Sequence, residues 1–361
     1  MTKPRARDLG LPFPGTTGPL NAITDVPGVL VGFCTLTDPA QNMRTGVTAI
    51  RPRDDAGMPV PVWAGHYALN GNGEMTGTHW IDDGGYLIGP ICISNTHAIG
   101  AVHHGATRWM IDHYADFFQH HHGWAMPVVA ETYDGVLNDI NALHVTADHA
   151  IAALNAASSG PVAEGSTGGG NGMISYAFKG GTGTASRLYA IGAQSYVMGV
   201  LVQANHGRRP DFRVLGKPVG QMMPQGTFDR NAAVPDKEMG SIIVVLITDA
   251  PLSRLSLNHL ARRAALGLGR GGTPGGNSSG DIFLALSTAN AGPMPQLAAA
   301  VLNRSEINGE LIDPAYLAAV ECVEEAVVNA IVAGEDVAAF KPAGQVVPGL
   351  DTAALAALFA G

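Results

Sequence analysis

The amino-acid sequence predicts a layered α/β sandwich, and three observations carry that expectation. Short runs that are apolar on both sides recur along the chain, as in strands of sheets covered on both faces. Segments with apolar residues at helical spacing interleave with them. Hydrophobic residues make up 46% of the 361 and charged residues 14%, which is enough apolar material for a sizeable core.

In chain order, strands are expected from Gly46 to Ile50, Val60 to Leu69, Gly89 to Ser94, Val128 to Thr132, Gln194 to Gln203, Ser241 to Thr248 and Asp281 to Ser287. Asn95-Thr96 can cap a helix running from His97 to about Phe118. A second helix, rich in Ala and Ile, is expected from Asp139 to about Ala157. Pro251 suits the first turn of a third, in which Leu257, Leu260, Ala261, Ala264 and Leu268 fall at helical spacing. Asp313-Pro314 opens a last long helix with Tyr316, Val320, Val323, Val327 and Ile331 on one face, closing near Gly334.

No internal repeat, low-complexity linker or composition shift marks a boundary, so residues 1–361 read as one domain. The loosest part is Arg208 to Glu238, with Pro210, Pro218, Pro224 and Pro235. It leads straight into Gly240-Ser241, which would leave that peptide bond on an accessible, adjustable loop.

The bulk numbers exclude several classes. A net charge of −9 without a basic run argues against a nucleic-acid surface. Met1 to Gly10 has no apolar core of a signal peptide, and no run approaches the ~18–20 apolar residues of a membrane span. Cys34, Cys92 and Cys322 lie far apart with no C-x-x-C pair, as in a reducing compartment, so a cytoplasmic protein is expected. The thirteen histidines include His103-His104 and His120-His121-His122 but no H-E-x-x-H, and the triplet reads as a solvated helix end. Gly267, Gly269 and Gly272 spell G-x-G-x-x-G after a helix rather than a strand, which is the wrong context for a dinucleotide site.

Four segments carry chemistry. The first is Gly240-Ser241, directly before six large aliphatic residues. Glycine allows strained backbone angles costing ~1–3 kcal/mol, and the serine hydroxyl can attack the preceding carbonyl to give an ester that water hydrolyses. The freed serine would then hold both a hydroxyl nucleophile and an α-amine with an unperturbed pKa of about 7.7–8.0. Equally, the pair can be a turn glycine and a strand-starting serine. The second segment, Asn277-Ser278-Ser279-Gly280-Asp281, offers Ser279 as a proton relay and Asp281 as its orienting carboxylate. Ser279 is also the rival nucleophile, and a polar strand cap is the plain alternative.

The third is Gln203-Ala204-Asn205-His206-Gly207, where the Asn205 carboxamide can donate to a developing oxyanion at a strand end. The fourth is Glu131-Thr132-Tyr133-Asp134-Gly135, whose carboxylate and phenol emerge from a strand where a substrate ammonium and a reacting carbonyl can be held. A hairpin end with solvated acids is its structural alternative.

Together these segments resemble the L-aminopeptidase/D-esterase and β-peptidyl aminopeptidase (DmpA/BapA) family over nearly the whole chain. The specific pieces are Leu69-Asn70-Gly71-Asn72-Gly73-Glu74-Met75-Thr76-Gly77, Glu131 to Gly135, Phe178-Lys179-Gly180-Gly181, Gln203-Ala204-Asn205, Gly240 to Val245 and Ser279-Gly280-Asp281-Ile282-Phe283. The resemblance implies a four-layer αββα sandwich of a self-processing, N-terminal-nucleophile-like hydrolase. It implies cleavage at Gly240–Ser241 into an α chain, 1–240, and a β chain, 241–361, that stay associated, and a homotetramer of such heterodimers. It carries Ser241 over as nucleophile, Ser279 and Asp281 as its assistants, Asn205 as oxyanion donor, Tyr133 as active-site tyrosine and Glu131 as the acid that binds the substrate amine. At Asp281 some members carry the longer Glu, which changes reach.

The expected activity is release of an N-terminal residue from short peptides, amides or esters with a free amino terminus, with no metal or cofactor required. The preference among L-, D- and β-residues is left open. The rivals are a self-cleaving acyltransferase resembling the ornithine acetyltransferases and an uncleaved small-molecule-binding scaffold.

Overall fold

The computed structural model describes residues 4–224, Gly226, Phe228 and 238–360. The start of the Met1–Gly10 segment and the Pro235 part of the Arg208–Glu238 stretch lie outside the described residues. The strands are β1 (Leu30–Asp38), β2 (Met43–Arg51), β3 (Val62–Ala68), β4 (Tyr86–Leu87), β5 (Ile91–Asn95), β6 (Val128–Thr132), β7 (Ile174–Ser175), β8 (Phe178–Lys179), β9 (Gly181–Ile191), β10 (Gln194–Asn205), β11 (Ser241–Thr248), β12 (Gly280–Ser287), β13 (Val337–Ala338) and β14 (Val346–Val347). The helices are α1 (Thr78–Gly84), α2 (Ile99–His113), α3 (Ala115–His120), α4 (Ala147–Asn155), α5 (Val219–Met222), α6 (Arg254–Arg270), α7 (Asp313–Val332) and α8 (Thr352–Ala357).

Two sheets dominate. The smaller runs β1-β2-β5-β6 and the larger β4-β3-β12-β11-β10-β9. Strand alternation sorts their side chains into three cores. Ile243, Val245, Ile282 and Leu284 of the larger sheet meet Ile50, Ile91, Ile93 and Val128 of the smaller one between the sheets. The alternate residues Val244, Leu246 and Phe283 face Leu257, Leu260 and Ala264 of α6 and Val323 and Val327 of α7. Val47, Cys92 and Val129 face Val102, Ala106 and Met110 of α2 and Ala150 and Leu154 of α4. The four αββα layers follow from these three apolar interfaces. All eight residues of β11 and of β12 are buried, which is why both read as continuous apolar runs rather than alternating ones.

Most elements fall where the sequence places them, and the departures have physical causes. The helix expected from His97 to Phe118 is capped by the Asn95 side chain, which accepts from the N–H groups of His97 and Ala98. It breaks at Tyr114, where the backbone leaves the helical region between α2 and α3. The helix expected from Asp139 starts only at Ala147, because Leu143 adopts a left-handed conformation (φ 54°) after a short 3-10 turn. Pro251 lies before α6, whose N-cap is Ser253, the side chain of which accepts from the Ser256 N–H. His120, His121 and His122 are exposed at the end of α3, as expected.

Two long strands, β1 and β9, escape the sequence reading, as do the two-residue strands β4, β7, β8, β13 and β14. β1 is only partly buried along its length. β9 is hidden by Gly181 and Gly183, where glycine serves close packing: a Cβ on Gly183 would lie 2.0 Å from the Ala326 carbonyl oxygen of α7. Among the described residues no helix is long and apolar enough to cross a membrane.

Candidate active site

Ser241 is the first residue of β11, and its neighbours are set by register. It pairs antiparallel with Asn205, the last residue of β10, and parallel with Gly280, the first of β12. By alternation Ser241 and Asn205 project on the face shared by Ile243 and Val245, towards the smaller sheet. Ser241 is only 4% exposed, and its Oγ has no hydrogen-bond partner among the described residues. A buried hydroxyl left unpaired is costly unless a ligand or reaction uses it.

The Gly240–Ser241 bond lies in this wall. A Cβ on Gly240 would fall 2.4 Å from the Asn205 carbonyl oxygen and 2.9 Å from the His206 Cα, so no other residue fits without moving backbone. Two residues upstream the chain is pinned rather than loose. The Glu238 carboxylate accepts from the Gly207 N–H at 2.9 Å, from the Thr273 hydroxyl at 2.8 Å and from the Gly276 N–H at 3.2 Å. Met239 is exposed and Gly240 half-buried, so accessibility begins between the clamp and the serine.

A cavity of about 810 Å³ opens at the strand end. Its lining includes Gly240, Ser241, Asn205, Glu131 and Tyr133, so five of the expected site residues share one space. The Asn205 amide is oriented by two bonds: its Oδ1 accepts from the Ile174 N–H at 2.9 Å and its Nδ2 donates to the Tyr133 carbonyl at 3.0 Å. That fixes the nitrogen end on the side of Tyr133. The Tyr133 ring folds over Gly135, where a Cβ would meet the phenol oxygen at 2.3 Å, and remains half-exposed.

Glu131 is buried rather than solvated at a hairpin end. Its Oε1 accepts from the Glu74 N–H at 3.1 Å and its Oε2 from the Thr96 hydroxyl. Burial raises its pKa against these two donors. A carboxylate held this way gains by pairing with an ammonium, which returns the charge that burial penalises.

Ser279 and Asp281 sit on the other side of the strand end. Asp281 pairs in register with Ile242, whose side chain belongs to the core under α6 and α7. The Ser279 hydroxyl donates to Asp281 Oδ1 at 2.6 Å, and Asn70 Nδ2 donates to Oδ2 at 3.0 Å. Burial raises the Asp281 pKa, while Ser279, His206 and Asn70 pull it down. The pair therefore forms a unit of its own behind the main chain of Ser241, not facing the Oγ across the cavity.

The sequence reading did not single out Asn72, Glu74, Thr96, Lys341 or Glu238 as site residues. Asn72 and Glu74 belong to a glycine-dense loop whose backbone crosses close to Gly280: a Cβ there would lie 2.3 Å from the Asn72 oxygen. That glycine density was the available signal. Thr96 and Lys341 arrive from distant segments and carry none. Among the described residues no group of three or more His, Cys, Asp or Glu is arranged to hold a metal ion.

Residues 21–344 match peptidase family S58. The chain is 46% identical over 348 residues to β-peptidyl aminopeptidase BapA of Sphingosinicella microcystinivorans, covering 92% of this chain and 86% of that protein. It is 43% identical over 354 residues to β-peptidyl aminopeptidase BapA of Sphingosinicella xenopeptidilytica, covering 93% and 86%. Among solved structures it superposes on the L-aminopeptidase D-Ala-esterase/amidase of Ochrobactrum anthropi with a TM-score of 0.93 and 54% identity, over 99% of this chain and 98% of that one. That structure is described as a prototype of the serine aminopeptidases and a variant of the Ntn hydrolase fold. A β-aminopeptidase of Burkholderia sp. superposes with a TM-score of 0.87 and 45% identity, over 99% and 98%.

Proposed function

The chain belongs to peptidase family S58, and we propose that this aminopeptidase processes itself at Gly240–Ser241 and then uses Ser241 as its nucleophile. The observation that carries the reading is the buried Ser241 Oγ, unpartnered among the described residues, beside the oriented Asn205 amide and in one cavity with Glu131.

In processing, the Ser241 Oγ attacks the Gly240 carbonyl carbon, and the C–N bond breaks as the amide becomes an ester. Water hydrolyses that ester, leaving residues 1–240 and 241–361 and a free α-amine on Ser241. The pieces stay interleaved. In the larger sheet β12 and β11 of the second piece lie between β3 and β10 of the first, so separating them would break two strand ladders.

In turnover, Glu131 holds the substrate ammonium and the Ser241 Oγ attacks the first carbonyl while the α-amine takes its proton. Asn205 Nδ2 donates to the oxyanion, with Tyr133 at the cavity wall beside it. The proton passes to the leaving amine as the C–N bond breaks, and water clears the acyl ester. Ser279 and Asp281, behind the strand end, orient the released α-amine and buffer its charge rather than touching the Oγ. Substrates are short peptides, amides or esters with a free amino terminus.

The free cysteines support a reducing compartment, and family resemblance supports a homotetramer of two-chain units, which light scattering on processed protein tests. Denaturing mass spectrometry of wild type and Ser241→Ala, with L-Ala, D-Ala and β-Ala p-nitroanilides assayed in parallel, tests the mechanism. The wild type is expected as two chains that turn over at least one substrate, the variant as one inactive chain. A continuous but active wild type, or turnover by Ser241→Ala, would overturn the reading, and cleavage before Ser279 would move the nucleophile there.

A further inference from the structure

The cavity holds charge of both signs, and their placement around Ser241 says what else the substrate carries. Its charged lining residues are Glu74, Glu131 and Lys341. The two acids lie on the β12 side: Glu131 is 3.1 Å from where a Cβ on Gly73 would be, and that same point is 3.5 Å from the Gly280 Cα. Gly280 pairs with Ser241 from that side.

Lys341 enters the cavity beside Tyr133. Its Nζ stands 5.9 Å from the centroid of the Tyr133 ring, and the Tyr133 carbonyl accepts from Asn205, the partner of Ser241 on β10. Glu131, Ser241, Asn205, Tyr133 and Lys341 thus line one cavity, with Lys341 beside the Tyr133 ring.

Lys341 is exposed, yet its backbone is fixed. The Phe340 and Lys341 N–H groups both donate to the Val136 carbonyl, at 2.9 and 3.1 Å, at the tip of the β13–β14 hairpin. Among the described residues no carboxylate forms an ion pair with its Nζ. An ammonium carried over a cavity on a pinned hairpin, with no ion-pair partner among the described residues, is placed for an anion brought by the ligand.

Resting on the aminopeptidase reading, we propose that Lys341 is a specificity residue that binds the C-terminal carboxylate of short peptides, making free dipeptides and tripeptides the preferred substrate class over amides, esters and longer chains. The substrate ammonium at Glu131 and its carboxylate at Lys341 would then straddle the scissile carbonyl at Ser241.

The test compares kcat and KM for β-Ala-Ala and for its C-terminal amide β-Ala-Ala-NH2, in processed wild type, Lys341→Met, Lys341→Glu and Lys341→Arg. The ratio of kcat/KM, acid over amide, is internal to each enzyme and insensitive to its active fraction. The wild type is expected to favour the acid by about fivefold, as for a partly exposed ion pair, mainly through KM. Lys341→Met should bring the ratio to about one, Lys341→Glu should favour the amide, and Lys341→Arg should keep the preference. Raising the salt should weaken it in the wild type. Turnover of both substrates by wild type with equal kcat/KM, or a preference that survives Lys341→Met and Lys341→Glu, overturns the proposal while leaving the aminopeptidase reading intact. Turnover of neither substrate, nor of any aminoacyl p-nitroanilide, sinks that reading and this proposal with it.

Discussion

The main-chain N–H of Gly280 donates to the carbonyl oxygen of Gly240 at 3.1 Å. The first rung between β11 and β12 is therefore made by the peptide unit that the Ser241 hydroxyl is proposed to attack. A donor aimed at that oxygen polarises the carbonyl and holds the Gly240 peptide in place while the Oγ approaches. Both glycines are required sterically, since a Cβ on either would meet backbone atoms within 2.5 Å.

Gly240→Ala tests this packing at the junction itself. The added methyl cannot clear the Asn205 carbonyl without displacing β10 or the 238–240 segment, so the attack geometry is lost. Expressed Gly240→Ala is expected as one uncut chain with turnover reduced by at least ~10². Denaturing mass spectrometry reads the first outcome and a p-nitroanilide assay the second. Full processing of the variant would show that the junction tolerates a side chain.

Ser279 and Asp281 are expected to act as one unit, because the hydroxyl donates to the carboxylate at 2.6 Å. Proton-transfer partners typically contribute ~10²–10⁴ in rate. Ser279→Ala and Asp281→Asn should each lower kcat by about 10² in processed enzyme, and the double variant should be no worse than the poorer single one. Multiplicative losses would mean that the two residues serve separate steps.

Much of this was legible in the chain, and the unreadable parts share a cause. β11 and β12 announce themselves because both faces are buried, and the proposed site residues Ser241 and Asp281 were placed on them with their strands. β9 was not, because its glycines record contact with the α7 backbone rather than strand propensity. The sidedness of Ser279 and Asp281 was also out of reach: it depends on which residue of β12 pairs with Ser241, and a one-residue slip would reverse it. Lys341 and Thr96 join the cavity only through tertiary packing, with no local pattern to mark them.

Asp134, buried behind Tyr133, makes stability depend on pH. Its Oδ1 accepts from Asn138 Nδ2 at 3.1 Å, with Thr45 and Asn95 close by, and burial pushes its pKa up to about 7. The unfolded value is near 3.9. Between pH ~4 and 7 the folded state keeps a proton that the unfolded chain releases, so this residue's contribution falls as pH rises through that window. In the uncut Ser241→Ala background, Asp134→Asn should flatten the urea-unfolding profile between pH 4 and 7. At pH 8 it should raise stability by on the order of 2–4 kcal/mol. Parallel profiles for the two proteins would show that Asp134 is not the group responsible.

Buried ion pairs across the proposed cut should decide whether the two pieces stay together. Glu325 of α7 is fully buried and accepts from Arg7 Nε at 2.9 Å, Arg187 Nη2 at 2.6 Å and Asn21 Nδ2 at 2.6 Å. All three donors belong to residues 1–240, and the acceptor belongs to 241–361. Burial alone would raise the Glu325 pKa, but Arg7, Arg187 and Asn21 outweigh it and hold the carboxyl below its usual value. The stabilisation is therefore present above the unfolded pKa of about 4.3 and is lost as pH falls through the lower folded value. Removing one partner of a buried pair costs ~3–5 kcal/mol where the other charge is stranded; here Arg187 keeps Glu321, whose Oε2 accepts from its Nε at 3.2 Å, so the loss falls toward the low end of that range. In uncut Ser241→Ala protein, Glu325→Gln can only lower the unfolding midpoint, since the chain is continuous. In processed protein, where the midpoint already depends on concentration because two chains come apart, the same change should lower it further and give separated 1–240 and 241–361 chains in native mass spectra at micromolar dilution where the wild type stays assembled. A processed Glu325→Gln enzyme that stays assembled with the wild-type midpoint would show that the strand ladders alone hold the chains together.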